Sequence, residues 1–452
     1  MKKPEDSRKI IFTNPPALKR EGLKARGMFP LPLIALANAL EDSIEVEQAS
    51  PDLLISYPDI KSVISKSSAG WVAITCYQET MDQVREIAQI AKSSGKKVIA
   101  GGHHITLWKG NRVLREIPEI DFVIEGEGEL PLKMLIEGSD FKRIPGLWWR
   151  SNGVPVTNKL PLYVCDWTNQ PPMVRGYSAF DYSEIWKIHK TMGRTKYQKP
   201  FSIMGLRGCG YAIRSKNRCS FCAMPIASCQ LRCRKPKYFW DEIMWARSRY
   251  NIDFLWDHSD SLLGSPEWLR GAADFRPDDA PPIWCYGRAD EIRENTIKPI
   301  DALRIEHIYI GVEVGSNKRL KEMKKGITLQ QVMHAIGLCQ KYGIRVQLSF
   351  IIGLPGETPV SLGETFDFAM KCYEIGVDDI VFHEFILRKG LKWFDYIANQ
   401  YPDMNRVVLD QGRLQKIFWH LFNPKVNREI ALESAKEIVA LFPNSELTAW
   451  NI

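Results

Sequence analysis

Residues 205–225 read GLRGCGYAIRSKNRCSFCAMP, and the use made of the three cysteines in this stretch decides the fold. Nine residues separate Cys209 from Cys219, and two separate Cys219 from Cys222. Just upstream, Phe201-Ser-Ile-Met-Gly-Leu206 is a short apolar run that reads as a buried strand. Three thiolates on one loop after a strand suit three irons of a cubane cluster. The fourth iron is then open to a small chelating cofactor.

Working outward, the five cysteines between positions 209 and 233 are half of the ten in the chain. The others, Cys76, Cys165, Cys285, Cys339 and Cys372, are scattered as small apolar residues usually are. Clustering favours a metal site over a disulfide framework. Cys219, Cys222, Cys229 and Cys233 would also suit a closed four-thiolate zinc or iron site. Between Arg207 and Trp240 there are eight Lys or Arg and no Asp or Glu, which matches the whole formal charge of +8. A positive surrounding favours thiolates and attracts anions.

A length of 452 residues implies two or three domains. The 45% apolar and 25% charged content is that of a globular protein. No run of 18 apolar residues occurs, so no membrane span is expected. The first residues lead into a short strand, not the apolar core of a signal peptide, so the expected location is cytoplasmic.

Strands are expected at Lys9–Thr13, Trp71–Thr75, Lys97–Ala100 and Asp121–Ile124, alternating with helices. One helix is marked by Met81, Val84, Ile87, Ala88 and Ala91. This alternation predicts a parallel sheet wound on both faces, with ligands beyond the strands' carboxyl ends. The loops there are Asn14-Pro-Pro16, Thr75-Cys-Tyr77, Gly101-Gly-His-His104 and Glu125-Gly-Glu-Gly-Glu129. No Gly-x-Gly-x-x-Gly follows the first strand, which argues against a dinucleotide. From Phe201 onward six strand–helix units fit into about 190 residues, too few for a full barrel. Beyond Gly390 the pattern is helical, with Asn427 capping the last helix.

Taken in order, these fragments resemble the cobalamin-binding radical S-adenosylmethionine (SAM) enzymes, over roughly residues 8–390. The resemblance rests on Asn14-Pro-Pro16, Gly101-Gly-His103 and Asp121-Phe-Val-Ile-Glu-Gly-Glu-Gly-Glu129 in the first half. In the second half it rests on Cys209, Cys219 and Cys222, with Gly311-Val-Glu-Val-Gly-Ser316, Met323-Lys-Lys-Gly326 and Gly353-Leu-Pro-Gly-Glu-Thr358. The spacing between the first two cysteines exceeds that of the usual family motif. The Asp-x-His-x-x-Gly motif of cobalamin mutases is missing, so no histidine is assigned to cobalt.

The resemblance implies an α/β protein. A doubly wound parallel-sheet cobalamin-binding domain would span residues 1–145, and a connector 146–198. A partial (β/α)6 radical SAM barrel would span 199–388, and a small helical region 389–452. A 4Fe–4S cluster would be held by Cys209, Cys219 and Cys222. SAM would meet Phe221, Asp257, Asp260, Arg288, Glu313, Ser349 and Gly353. Cobalamin would meet Asn14, Thr75, Cys76, Tyr77, Gly101, Gly102, His103, Glu125, Gly126 and Glu127. The implied reaction is methylation of an unactivated carbon or phosphorus centre, and the basic segment adds the expectation of a small anionic substrate. Alternatives are a radical reaction without methyl transfer, a cobalamin- or metal-binding sensor, or an RNA-modifying enzyme. The implied electron donor is a flavodoxin or ferredoxin. Neither nucleic acid nor membrane is expected as a partner, and no catalytic side chain is assigned.

Overall fold

The computed structural model describes residues 6–15, 20–21, 30–48, 57–160, 165–192, 196–215, 218–224, 230–442 and 446–450. Pro16, Lys216 and Cys229 lie outside them. In chain order the first strands are β1 (Asp6–Thr13), β2 (Arg20–Glu21), β3 (Glu45–Gln48), β4 (Ala69–Thr75) and β5 (Lys97–Gly101). They are followed by β6 (Phe122–Ile124), β7 (Leu147–Ser151) and β8 (Val154–Thr157).

All but β2 form one sheet, in the order β3-β1-β4-β5-β6-β7-β8. The strands up to β6 pair in parallel, and β7 and β8 add antiparallel. Six of the seven residues of β4 are buried, the continuous apolar run expected of a strand covered on both faces. Helix Met81–Ser93 lies against it by Met81, Val84, Ile87, Ala88 and Ala91, the stripe legible in the sequence. At its end the buried Lys96 donates to the carbonyls of Ser67 and Ala69, at 2.6 and 2.8 Å. The hairpin β7–β8 carries this sheet past residue 145, into the stretch read as connector.

The second sheet contains β9 (Pro200–Ile203), β10 and β11 being the two short strands Leu206–Arg207 and Arg232–Cys233 that pair beside it. It continues through β12 (Phe254–Asp257), β13 (Ile283–Gly287), β14 (Ile305–Glu313), β15 (Arg345–Ile352), β16 (Asp379–Glu384) and β17 (Glu446–Trp450). The order is β2-β17-β16-β15-β14-β13-β12-β9, parallel from β9 to β17, with β2 antiparallel at the far edge. It is an open half-barrel. The six strands read from the sequence are β9 and β12 to β16. The helices expected after residue 390 are present, and the Asn427 side chain accepts from Ile430 N at 3.0 Å as the last cap. The strand β17 that follows them was not foreseen.

The segment after β16 ties the two sheets together. Gln78 Nε2 donates to Leu387 O at 2.8 Å, and Lys389 N donates back to Gln78 Oε1 at 3.1 Å. Arg388 pairs with Glu79. His104 Nε2 donates to Val407 O at 3.3 Å, and burial pushes its imidazole down to about 3, so it is neutral.

Arg234 shows how the basic segment is used. Its side chain is fully buried and pairs with the equally buried Glu242 at 2.8 Å. It also donates to the carbonyls of Gln170 and Pro171. Removing one partner of a desolvated pair strands the other. Arg234→Ala should therefore lower the unfolding free energy by about 3–5 kcal/mol in urea titration. Lys237→Ala, which breaks the exposed pair with Asp241, should change it by less than about 0.5 kcal/mol. Equal, small losses from both would refute this account.

Candidate functional site

The cysteine loop leaves the sheet where β9 ends, and its buried amides need partners. Asp257, at the end of β12, accepts from Gly205 N at 2.9 Å and from Ser259 N at 2.9 Å. Ser259 Oγ accepts from Leu206 N at 2.8 Å, and Asp260 accepts from Gly208 N at 2.8 Å. Burial raises the Asp257 carboxyl to about 6, against the hydrogen bonds that favour its ionised form. The sequence reading had Asp257 and Asp260 orienting the SAM amino group. In the structure both hold the base of the loop, Asp260 also lining the first cavity described below and Asp257 lying outside both.

The ladder β10–β11 closes that loop, pairing Leu206 with Cys233 and Arg207 with Arg232. Cys209 precedes the short helix Gly210–Ser215, and Cys219 and Cys222 sit in a turn where Cys222 N donates to Cys219 O at 3.0 Å. The turn lies on the segment Met323–Gly326: Ser220 N donates to Met323 O, and Tyr211 OH donates to Lys324 O. All three cysteines are half-buried. Burial pushes the Cys219 thiol up, while Lys325 and Arg288 act to lower it. These cations come from outside the basic segment that the sequence had credited with that effect.

Among the described residues no three His, Cys, Asp or Glu side chains converge on a single ion. A cubane asks for something else, one thiolate at each of three corners. The closed four-thiolate alternative needs Cys229, outside the described residues. Cys233, its other added ligand, lies in β11 opposite Leu206, and burial raises its thiol pKa.

Two cavities meet above the loop. One, of about 360 Å³, lies beyond the carboxyl ends of the first sheet. Thr75, Gly101, Gly102, His103, Gly126 and Glu127 line it from that side, and Met204, Arg207, Gly208, Met224, Arg232 and Asp260 from the other. Gly102 has φ +105°, and a Cβ there would stand 3.2 Å from the Cys76 backbone, so the close turn needs glycine. Arg232 keeps a buried Nε–H without a partner among the described residues, a donor suited to an amide-bearing ligand. Of the other residues expected here, Cys76 and Tyr77 are packed away from the cavity. Glu125 accepts from Gly110 N at 2.5 Å, and Asn14 lies outside the lining.

The second cavity, of about 440 Å³, is lined by Phe221, Glu313 and Ser349 together with His103, Met224, His383, Glu384 and Arg388. His103 and Met224 line both cavities. Glu313 ends β14 at φ +76°, a left-handed conformation that costs a residue with a side chain and collects at functional sites. Lys325 Nζ holds its Oε1 at 2.6 Å. Arg288 lies outside the lining, pairing with Asp290 at 2.8 Å and resting 4.2 Å over the Tyr211 ring. Gly353 does too, at φ +83° with a would-be Cβ 2.4 Å from the Trp419 ring.

Sequence reasoning missed several groups. Lys325 lies within Met323-Lys-Lys-Gly326, where nothing in the sequence sets it apart from Lys324. His383, on β16, is held between Tyr309 OH at 2.7 Å and Thr448 Oγ1 at 2.6 Å, the latter on β17. No local pattern announces either contact.

Five of the seven described cations of the basic segment are paired with carboxylates, Arg234 with Glu242 among them. Arg207 pairs with Glu127 and Glu129, Arg232 with Glu127, Arg214 with Asp290 and Glu291, and Lys237 with Asp241. Arg218 donates to the carbonyls of Met224 and Gly390. These pairings weaken the field that the run of cations suggests in sequence, while Arg218 meets only carbonyls among the described residues.

Comparison with known proteins agrees with this geometry. Residues 27–136 match the B12 binding domain, and residues 213–369 match the radical SAM superfamily. The second match begins after Cys209 and includes Cys219 and Cys222. An uncharacterized methyltransferase of Pyrococcus horikoshii is 28% identical over 76% of this chain and 73% of its own length. The anaerobic magnesium-protoporphyrin IX monomethyl ester cyclase of Rubrivivax gelatinosus is 24% identical over 74% of this chain, which spans 59% of that protein. Among solved structures, the radical SAM methyltransferase TsrM of Kitasatospora setae superposes with TM-score 0.65 at 19% identity, over 87% of this chain and 76% of that one. The cobalamin-dependent radical enzyme OxsB superposes with TM-score 0.62 at 16% identity, over 94% of this chain and 62% of that one. At such identities the superpositions speak to fold. The chain thus carries a B12 binding domain followed by a radical SAM domain, which imply cobalamin for the first and a 4Fe–4S cluster with SAM for the second.

Proposed function

We propose that this enzyme transfers a methyl group to a carbon or phosphorus centre of a small molecule. The observation that carries the reading is the shared wall. His103 and Met224 line both the cavity beyond the first sheet and the one at the mouth of the half-barrel. A substrate held there lies between the two cofactor sites. The bound cluster and SAM supply a one-electron route to a carbon-centred radical, and bound cobalamin supplies a methyl carrier.

The residues have these roles. Cys209, Cys219 and Cys222 hold the cluster, with Lys325 and Arg288 offsetting its negative charge. Glu313, fixed on one side by Lys325, offers its carboxylate to the SAM ribose, and Phe221 packs on the adenine. Burial and the Arg388 charge lower the pKa of His103. It therefore adds no charge to the shared wall at neutral pH. Met224, Phe385 and Ile386 keep water from the space between the cofactors. Electrons come from an external donor such as a flavodoxin or ferredoxin. The cyclase relatives favour a second reading, a radical reaction without methyl transfer.

Anaerobic incubation with SAM carrying a trideuterated methyl group, hydroxocobalamin, a one-electron reductant and candidate substrates separates the two. A product heavier by the labelled methyl supports transfer. SAM consumption with an unlabelled, altered product would support the second reading instead.

The ligand assignment is tested by iron analysis. Reconstituted protein should hold about four iron and four sulfide per chain. Ala at Cys209, Cys219 or Cys222 should remove most of both, and Ala at Cys233 should leave them. Iron retained without Cys209 but lost without Cys233 would reverse the assignment.

A further inference from the structure

The cysteine loop is one excursion of the chain, and its two ends meet in the ladder β10–β11. Arg207 and Arg232 are directly opposed there, one just before the loop and one just after it. Both reach into the first domain. Arg232 donates to Glu127 Oε1 at 2.6 Å and Oε2 at 3.0 Å. Arg207 donates to Glu127 Oε1 at 3.2 Å and to Glu129 Oε1 at 2.6 Å, with its guanidinium 4.0 Å over the Trp167 ring. Glu127 Oε2 also accepts from Cys165 N at 3.0 Å.

These side chains are at most 19% exposed, so the pairs are little screened. Burial alone would raise the Glu127 carboxyl, but the Arg232 hydrogen bonds and both guanidinium charges hold it below its usual range. Glu127 and Glu129 belong to the loop that lines the first cavity, and both arginines line it too. The part of the chain that carries the cysteines thus sets the shape of the cavity wall opposite.

We propose that Arg207 and Arg232 are positioning residues that couple the two cofactor sites, so that the cluster and cobalamin each bind more tightly when the other is present. This rests on the cofactor assignment above. Fixing Cys209, Cys219 and Cys222 to one cluster fixes the ends of the loop, hence the arginines, hence Glu127 and Glu129. Ordering contributed by the first ligand need not be supplied again by the second. Linkage makes the effect reciprocal.

The test uses full-length protein kept anaerobic, with and without reconstituted cluster. Hydroxocobalamin is titrated into each by absorbance. The wild type should bind it about fivefold or more tightly with the cluster present. In Arg232→Gln that ratio should fall toward unity while the iron content of the cluster-loaded protein holds. Arg232→Lys, which keeps the charge but not the fork, should fall between. Should Arg232→Gln not fold, the wild type alone still decides. Iron partitioning to a chelator at equilibrium should be resisted by the same factor when hydroxocobalamin is present. Equal affinity of the two wild-type preparations, or a ratio unchanged in Arg232→Gln, overturns the coupling. Failure of hydroxocobalamin to bind either preparation overturns the cofactor assignment and the coupling with it.

Discussion

Three backbone N–H groups, on Gly205, Leu206 and Gly208, are where the architecture of the site begins. The chain must leave the parallel sheet to form a loop that can carry three thiols, and it does so in a buried place. Unpaired amides there would each cost about 1–3 kcal/mol. Asp257, Ser259 and Asp260, from the end of the neighbouring strand, take them up. The cost appears in Asp257, whose carboxyl is raised to about 6 by burial. Once those amides are held, Arg207 leaves the sheet in one direction only, and the ladder with Arg232 follows from it.

Most of the parallel core was legible because it is written in short apolar runs separated by helical stripes. Trp71–Thr75 and Val346–Ile352 are such runs, and each is a strand. The carboxyl-end loops were legible for the same reason, and those of β4, β5 and β6 supply residues to the first cavity. What stayed hidden is short or pairs at long range. β17 is five residues of mixed polarity, and it is a strand because β16 offers an open edge. β2 is two residues that complete the same edge. Neither has a periodicity to read.

The charge pattern misled for a related reason. A run of eight cations without an acid looks like an exposed field, because sequence shows only the neighbours along the chain. Arg207, Arg232 and Arg234 find their carboxylates at Glu127, Glu129 and Glu242, and burial makes those pairings obligatory. Both carboxylates in the second cavity are answered likewise, Glu313 by Lys325 and Glu384 by Arg428. Its one Lys or Arg, Arg388, is held by Glu79. The second cavity is therefore nearly neutral in the fixed charges of its described lining.

That neutrality depends on both domains being present. Arg388 belongs to the half-barrel, but Glu79 and Gln78 of the first domain hold it and its neighbour in place. The first cavity is half walled by Met204, Arg207, Gly208, Met224, Arg232 and Asp260, all beyond residue 200. A fragment ending near residue 145 would keep the glycine turns but lose that wall, and would leave Glu127 without either arginine. The cobalamin-side site is thus a property of the interface, and its two halves acquire their shape by docking.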